Sequence, residues 1–268
     1  MNYALTDGVN RYQIPGNDLR GCVHDVVSMK VLLGKLGFSV MHVRSLINEQ
    51  ATKQRILDSL KQMVVNAKKG DHLVWHHSSH GAQVPALMGD NTEPDGMTEI
   101  LCPYDFDWVP EHYITDDEVH DICALLDPGA TLDILLDACH SGDMLRDLGN
   151  GTPKFIPYPF PINIVPLVGK GMQPKWVKPF SKVIVEFENV CLWSGCRSDQ
   201  TSADACINGV WQGAFTWAVF YSFYKLGSAD LSRSRLHSRI KNLLSAKGYE
   251  QEPVLECSDE MKNGRFTE

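Results

Sequence analysis

No stretch of this chain is apolar for longer than a β-strand needs, which leaves no transmembrane helix of about 20 apolar residues. Met1-Asn2-Tyr3-Ala4 has neither the basic start nor the apolar core of a signal peptide, so no leader is expected. There is no Lys/Arg cluster, and 25 basic against 33 acidic residues leave a net charge of −8. That balance argues against nucleic acid and suits a site that takes cationic partners. The eight cysteines show no CxxC spacing, so neither a zinc ribbon nor a thioredoxin-like pair is indicated. Most lie in apolar settings such as Val190-Cys191-Leu192-Trp193 and read as reduced, buried thiols of a cytoplasmic protein. No internal repeat is visible. At 268 residues, 43% of them hydrophobic, the chain can build one large α/β domain or two small ones.

What is present alternates strand and helix patterns. Tyr3 to Val9 reads as a strand, residues 18–36 as a helix with Cys22, Val26, Met29, Leu33 and Leu36 on one face, and Phe38 to Val43 as a second strand. Thr52 to Lys68 is a helix with Ile56, Leu60, Met63 and Ala67 aligned. Leu73-Val74-Trp75 is strand-like, Gln83 to Thr98 is polar, and Thr115-Asp116-Asp117-Glu118 opens a helix to Leu126 with acids where the helix dipole favours them. Leu132 to Leu136 is the next strand. Val183 to Phe187 and Val190 to Trp193 are strand-like, 213–226 and 231–244 read as helices, and Val254-Leu255 as a last strand. The order predicts a mostly parallel sheet with helices on both faces, joined by right-handed crossovers. Residues 143–182 are rich in proline and glycine without periodicity, and read as a flexible excursion within one domain spanning 1–268.

Two strand ends carry the chemistry. Trp75-His76-His77-Ser78-Ser79-His80-Gly81 ends one parallel strand, and Leu135-Leu136-Asp137-Ala138-Cys139-His140-Ser141-Gly142 ends another. Side chains at such ends meet above the carboxyl edge of a sheet, where α/β proteins place their sites. A thiol needs a base or cation beside it to act as a nucleophile at neutral pH, and imidazole supplies that. The pairing points to a cysteine hydrolase.

Four motifs in order strengthen this: Asn17-Asp18-Leu19-Arg20-Gly21-Cys22-Val23-His24-Asp25, His80-Gly81, Asp137-Ala138-Cys139-His140-Ser141-Gly142, and Ser194-Gly195-Cys196-Arg197-Ser198-Asp199-Gln200-Thr201-Ser202. Together they resemble the metacaspases and the bacterial orthocaspases, which are caspase-like cysteine peptidases. The match runs from about Tyr3 to about Leu226. Asp-Ala-Cys-His-Ser-Gly takes the place of the Gln-Ala-Cys of true caspases.

The resemblance implies a caspase-like three-layer α/β sandwich and a peptidase cutting after Arg or Lys through a thioacyl-enzyme. It gives Cys139 as nucleophile, His80 as acid and base, and the N–H groups of Gly81 and Cys139 as oxyanion donors. It places Asp25, Ser78 and Asp137 in the pocket for the basic residue, with Asp18 the runner-up to Asp25 and more naturally a helix cap. His140 belongs to the motif without being the base, and His76 and His77 are expected to pack or hydrogen-bond. Family calcium sites use four aspartates. Asp116 and Asp117 match two of them, while Thr98 and Arg146 fill the others, so no cofactor is expected to be required and calcium at most weakly. Thr6 and Asp7 are polar where relatives carry apolar strand residues, and a buried aspartate there needs a partner.

The expected partners are proteins or peptides with a basic residue before the cut, with no nucleic acid or membrane involved, and the protein is read as a monomer. Self-cleavage is expected in the excursion, where Arg146, Lys154, Lys170, Lys175, Lys178 and Lys182 are targets. The alternatives are a caspase-fold peptidase directed to Asp or Asn, and a non-enzymatic caspase-like scaffold.

Overall fold

A computed structural model describes residues 1–85, 97–139, 151–159 and 186–267. Its central sheet forms from the short apolar runs. Strands β1 (Asn2–Gly8), β2 (Val43–Ile47), β3 (His72–Ser78), β7 (Thr131–Asp137), β9 (Val190–Ser194) and β12 (Val254–Glu256) lie in the order β12-β9-β7-β3-β1-β2. All neighbours pair parallel except β12 against β9. β3 and β7 are buried on both faces, so their short apolar runs, Leu73-Val74-Trp75 and Ile134-Leu135-Leu136, do not alternate with exposed polar residues, and His76, His77 and Asp133 are buried with them.

Successive side chains still point to opposite faces. Leu73 and Trp75 of β3, with Leu132, Ile134 and Leu136 of β7, pack with Ile56, Leu60 and Val64 of helix α2 (Lys53–Asn66) and with Val119 and Ile122 of α3 (Asp116–Cys123). Val74 and Leu135 face the other way. They pack with Met29, Leu32 and Leu33 of α1 (Cys22–Lys35), Phe215 and Val219 of α4 (Ala214–Tyr224), and Leu236 and Ile240 of α5 (Arg233–Ala246). Each such fully buried side chain contributes about 1.5–3 kcal/mol. A short helix α6 (Asp259–Asn263) follows β12. The result is the three-layer sandwich read from the sequence. No helix among the described residues is long and apolar enough to cross a membrane.

Small antiparallel pieces cross the carboxyl edge. Strands β4 (His80–Pro85), β5 (Met97–Cys102) and β6 (Ile114–Thr115) form one sheet, and β8 (Thr152–Pro153), β10 (Ala203–Ile207) and β11 (Val210–Gly213) form another. Several expectations shift. The second strand begins at Val43, after a 3-10 turn at Val40–His42, because Val40 and Met41 are exposed there. Phe187 lies outside any strand, and Val183 lies outside the described residues. Within the expected excursion, residues 151–159 pack against the sheet edge, whereas 143–150 and 160–182 lie outside the described residues.

One buried charge cluster ties the layers together. Asp133 of β7 accepts two hydrogen bonds from Arg233 of α5 at 2.9 and 2.7 Å and one from the Trp193 indole at 2.8 Å, and pairs with His72 at 2.9 Å. Burial raises its carboxyl pKa, but Arg233 and His72 outweigh burial and hold it well below the usual range.

Candidate active site

Ser79 is the single residue between β3 of the central sheet and β4 of the small one, and it brings His80 to the carboxyl edge. His80 is buried, and its Nε2 donates to the Asn17 carbonyl at 2.8 Å. That bond fixes the tautomer and leaves Nδ1 without a partner. Burial lowers the imidazole pKa to about 4, so the ring is neutral at physiological pH, with a free lone pair on Nδ1. Gly81 follows, and its main chain lies so close to Cys139 that a Cβ would collide with the Cys139 carbonyl. A glycine is required for that approach.

Cys139 lies two residues past the end of β7 and is fully buried. The Ser202 N–H points at its sulfur, the Ser202 carbonyl is 3.6 Å away, and the Cys196 thiol also lies 3.6 Å away. The N–H groups of Gly81 and Cys139 both donate to one oxygen, the Lys154 carbonyl, at 3.0 and 3.2 Å. The chain around Lys154 lies as an added strand. Pro153 and Thr152 pair with Ala203 and Asp204 of β10, Lys154 N–H donates to the Ser202 carbonyl at 3.0 Å, and Ile156 N–H donates to the Gly81 carbonyl at 3.0 Å.

The Lys154 side chain, 0% exposed, runs into an anionic pocket. Its ammonium lies 3.3 Å from Asp25 Oδ2, 3.1 Å from Asp137 Oδ1 and 2.9 Å from Ser78 Oγ. Three acceptors meet the three N–H bonds of one ammonium. The remaining lone pairs are used too. Ser78 Oγ donates to Asp25 at 2.7 Å, and Gly213 N–H donates to both Asp25 oxygens. Asp137 accepts from Ser202 Oγ at 2.7 Å, from Thr216 Oγ1 at 2.7 Å and from Thr216 N–H at 3.0 Å. His76 Nε2 supports Thr216 Oγ1 from behind at 3.0 Å, its ring kept neutral by burial. A side chain on Gly213 would fill the space taken by the ammonium and Asp137.

Burial and the neighbouring Asp137 raise the Asp25 carboxyl to about 6 despite Lys154. Asp137 is held low, because Lys154, Ser202 and Thr216 together outweigh its burial. Lys154 is raised well above the ordinary lysine value, burial being overcome by the surrounding acidic groups.

The structure thus brings together His80, Gly81, Cys139, Asp25, Ser78 and Asp137. Asp18 is elsewhere. It accepts from the Tyr12 N–H at 3.0 Å, and α1 begins only at Cys22, so it neither caps that helix nor joins the pocket. Asp116 and Asp117 open α3, where burial and then Asp117 raise Asp116 to about 6. Among the described residues no three or more His, Cys, Asp or Glu side chains gather as metal ligands. Thr98 lies in β5, while His140 and Arg146 fall outside the described residues. Cys206 is exposed, unlike the other cysteines, because it sits on the outward face of a hairpin strand. The sequence offers Lys154 only as an exposed cleavage target, carries Asn17 and Ser202 within the motifs without a role for either, and gives no sign of Gly213 and Thr216. The Gly-Ala-Phe-Thr start of α4 gives no polar pattern that would flag the last two.

Residues 2–148 match the family described as "Metacaspase, peptidase C14 domain". The chain is 33% identical to Metacaspase-1A of Aspergillus niger over 95% of its own length and 70% of that protein. It is likewise 33% identical to Metacaspase-1A of Aspergillus oryzae, over 95% of this chain and 67% of that one. Among solved structures it resembles a Geobacter sulfurreducens protein at 22% identity and TM-score 0.69, covering 98% of this chain and 97% of that one. Caspase-1 of Spodoptera frugiperda matches at 13% identity and TM-score 0.59, covering 96% and 86%; at these identities the likeness is one of fold. By its family match and its curated relatives, this chain belongs to the metacaspases, cysteine peptidases of the caspase fold.

Proposed function

We propose that this metacaspase is an endopeptidase that cuts after Lys or Arg with Cys139 as nucleophile and His80 as its base, and that one of its substrates is its own Lys154–Phe155 bond. The observation that carries this reading is the placement of Lys154: ammonium between Asp25 and Asp137, carbonyl oxygen shared by the Gly81 and Cys139 N–H groups. A scissile lysine needs both contacts at once.

The steps follow from the same contacts. His80 Nδ1 takes the thiol proton, and the Cys139 sulfur attacks the carbonyl carbon. The oxyanion that forms is held by two N–H donors, each worth roughly 10²–10³ in rate by analogy with other oxyanion holes. The tetrahedral species collapses as His80 returns the proton to the leaving amine. A water molecule, deprotonated by His80, then releases the acyl group from sulfur. The Asn17 carbonyl keeps the imidazole in the tautomer that makes this possible. Two carboxylates at the pocket floor disfavour an aspartate before the cut and favour a cation. Until it is cut or displaced, the 152–156 strand fills the cleft that a substrate in trans would use.

The test is a panel of matched fluorogenic peptides ending in Arg, Lys, Asp and Asn, run on the parent, Cys139→Ala and His80→Ala. Turnover of the Arg and Lys peptides by the parent alone is expected. Turnover by Cys139→Ala, or preference for Asp, refutes the reading. Mass mapping of an incubated parent should give fragments ending at Lys154 and starting at Phe155, absent in Cys139→Ala. Active protein that stays one chain would leave Lys154 as a plug and not a substrate.

A further inference from the structure

Asp7, His77 and Ser79 are among the buried polar residues that the reading above leaves without a part in the chemistry. All three are 0% exposed. Asp7 of β1 lies in register with His77 of β3. Its carboxylate accepts from the Trp75 indole at 2.8 Å and pairs directly with His77 Nδ1. On the far side of the ring, His77 Nε2 is 2.6 Å from Ser79 Oγ. The Ser79 hydroxyl donates to the His80 carbonyl, also at 2.6 Å. A hydroxyl has one proton to give, so with that proton on the His80 carbonyl, Ser79 accepts from His77. The other main-chain group of His80, its N–H, donates to the Tyr12 hydroxyl at 2.9 Å, which passes its own proton to the Cys102 carbonyl at 3.2 Å.

Both main-chain polar groups of His80 are therefore held by side chains from outside its own strand, and one of those holds runs back to a buried aspartate. Such a cluster is costly to bury and is retained only when each member is satisfied. Apolar residues would fill the same space in β1 and β3 more simply. Ser79 is also the sole residue between two sheets, at the corner where the chain leaves β3 for His80.

We propose that Asp7, acting through His77 and Ser79, is a positioning chain that fixes the main chain of His80 and so aims Nδ1 at the Cys139 thiol. The proposal rests on the reading of His80 as the base. Asp7 does for the backbone of this histidine what a third carboxylate does for the ring in a serine-protease triad. It touches neither substrate nor reacting atoms. Misplacing a catalytic group by about 1 Å can cost 10²-fold in rate, so the chain acts on turnover rather than on binding.

Two variants test it, each read by kcat and KM for an Arg-ending peptide and by the melting temperature. Ser79→Ala removes the link alone. Asp7→Leu with His77→Phe removes the polar pair together, leaving no unpaired buried charge. The expected result for each is a kcat at least about tenfold lower, KM within about twofold of the parent, and a cooperative melt. Parental kcat in either folded variant overturns the proposal, as does a raised KM with kcat unchanged, which would assign the chain to the pocket. If either variant does not fold, the other decides alone. Full activity in His80→Ala would instead remove the base assignment itself, a failure distinct from that of the positioning chain.

Discussion

Replacing Lys154 with Gln, in a Cys139→Ala background so that nothing is cut, removes the cation shared by two fully buried carboxylates. Breaking a buried ion pair by deleting one partner costs about 3–5 kcal/mol, because the other charge is left uncompensated. For a protein of this size each kcal/mol moves the melting temperature by about 2–4 °C, so the variant should melt roughly 6–20 °C below its parent at pH 7.5. The loss should shrink on acidification. Asp25, already raised to about 6 with Lys154 in place, rises further without it, and below that pH it is protonated so that one charge fewer is stranded. Scanning fluorimetry from pH 5 to 8 reads this directly. A non-cleavable peptide ending in arginine amide should raise the melting point of the variant by mass action and move the parent little, since the parent pocket is filled. Equal melting temperatures at pH 7.5, or equal ligand shifts in both proteins, would refute the view that Lys154 occupies the pocket a basic substrate uses.

Three further outcomes follow. For a Lys-ending peptide, kcat/KM should already fall on acidification above pH 6, because Asp25, raised to about 6 with an ammonium beside it, rises further in the empty pocket and loses its charge there, while burial keeps His80 neutral well below that pH; a profile flat to pH 5 contradicts the pocket. Arg233→Met leaves Asp133 buried without its guanidinium and should cost about 3–5 kcal/mol at pH 7. Asp133 is depressed in the folded protein, so its contribution is present above the unfolded carboxyl value of about 3.9 and is lost as pH falls below it; the parent–variant gap should narrow there, as urea titrations would read. Activity in excess chelator should equal activity with added calcium, and a large saturable activation reversed by Asp117→Ala would overturn that expectation.

The periodic parts of the fold were legible because burial on one face leaves a pattern. Met29 and Leu33 mark α1, Ile56 and Leu60 mark α2, and the runs ending at Trp75 and Leu136 mark the two central strands. The second strand was misplaced by several residues because β2 is an edge strand with exposed positions, and its alternation is weak. The hairpin of β10 and β11 turns at Asn208-Gly209, a dipeptide that signals such turns although the strands on either side of it are too short to show a clear alternation. The strand-end positions of His80 and Cys139 were legible in the sequence, and the grouping of Asp25 with Asp137 through family motifs. Lys154 was not, since a lysine among prolines and glycines looks solvated until Asp25, 129 residues earlier, is brought against it. The partner of Asp7 was equally hidden, because the register of β1 on β3 supplies His77.

The central claim is that Cys139 is the nucleophile of a pocket built for a cation. The most direct measurement is intact-mass analysis after treatment with matched peptidyl acyloxymethyl ketones ending in Lys or Asp. The account predicts a single adduct from the Lys reagent, mapped to Cys139 and lost in Asp137→Asn, with no adduct from the Asp reagent. Labelling of Cys139 by the Asp reagent, or a Lys adduct on any other residue, would contradict it.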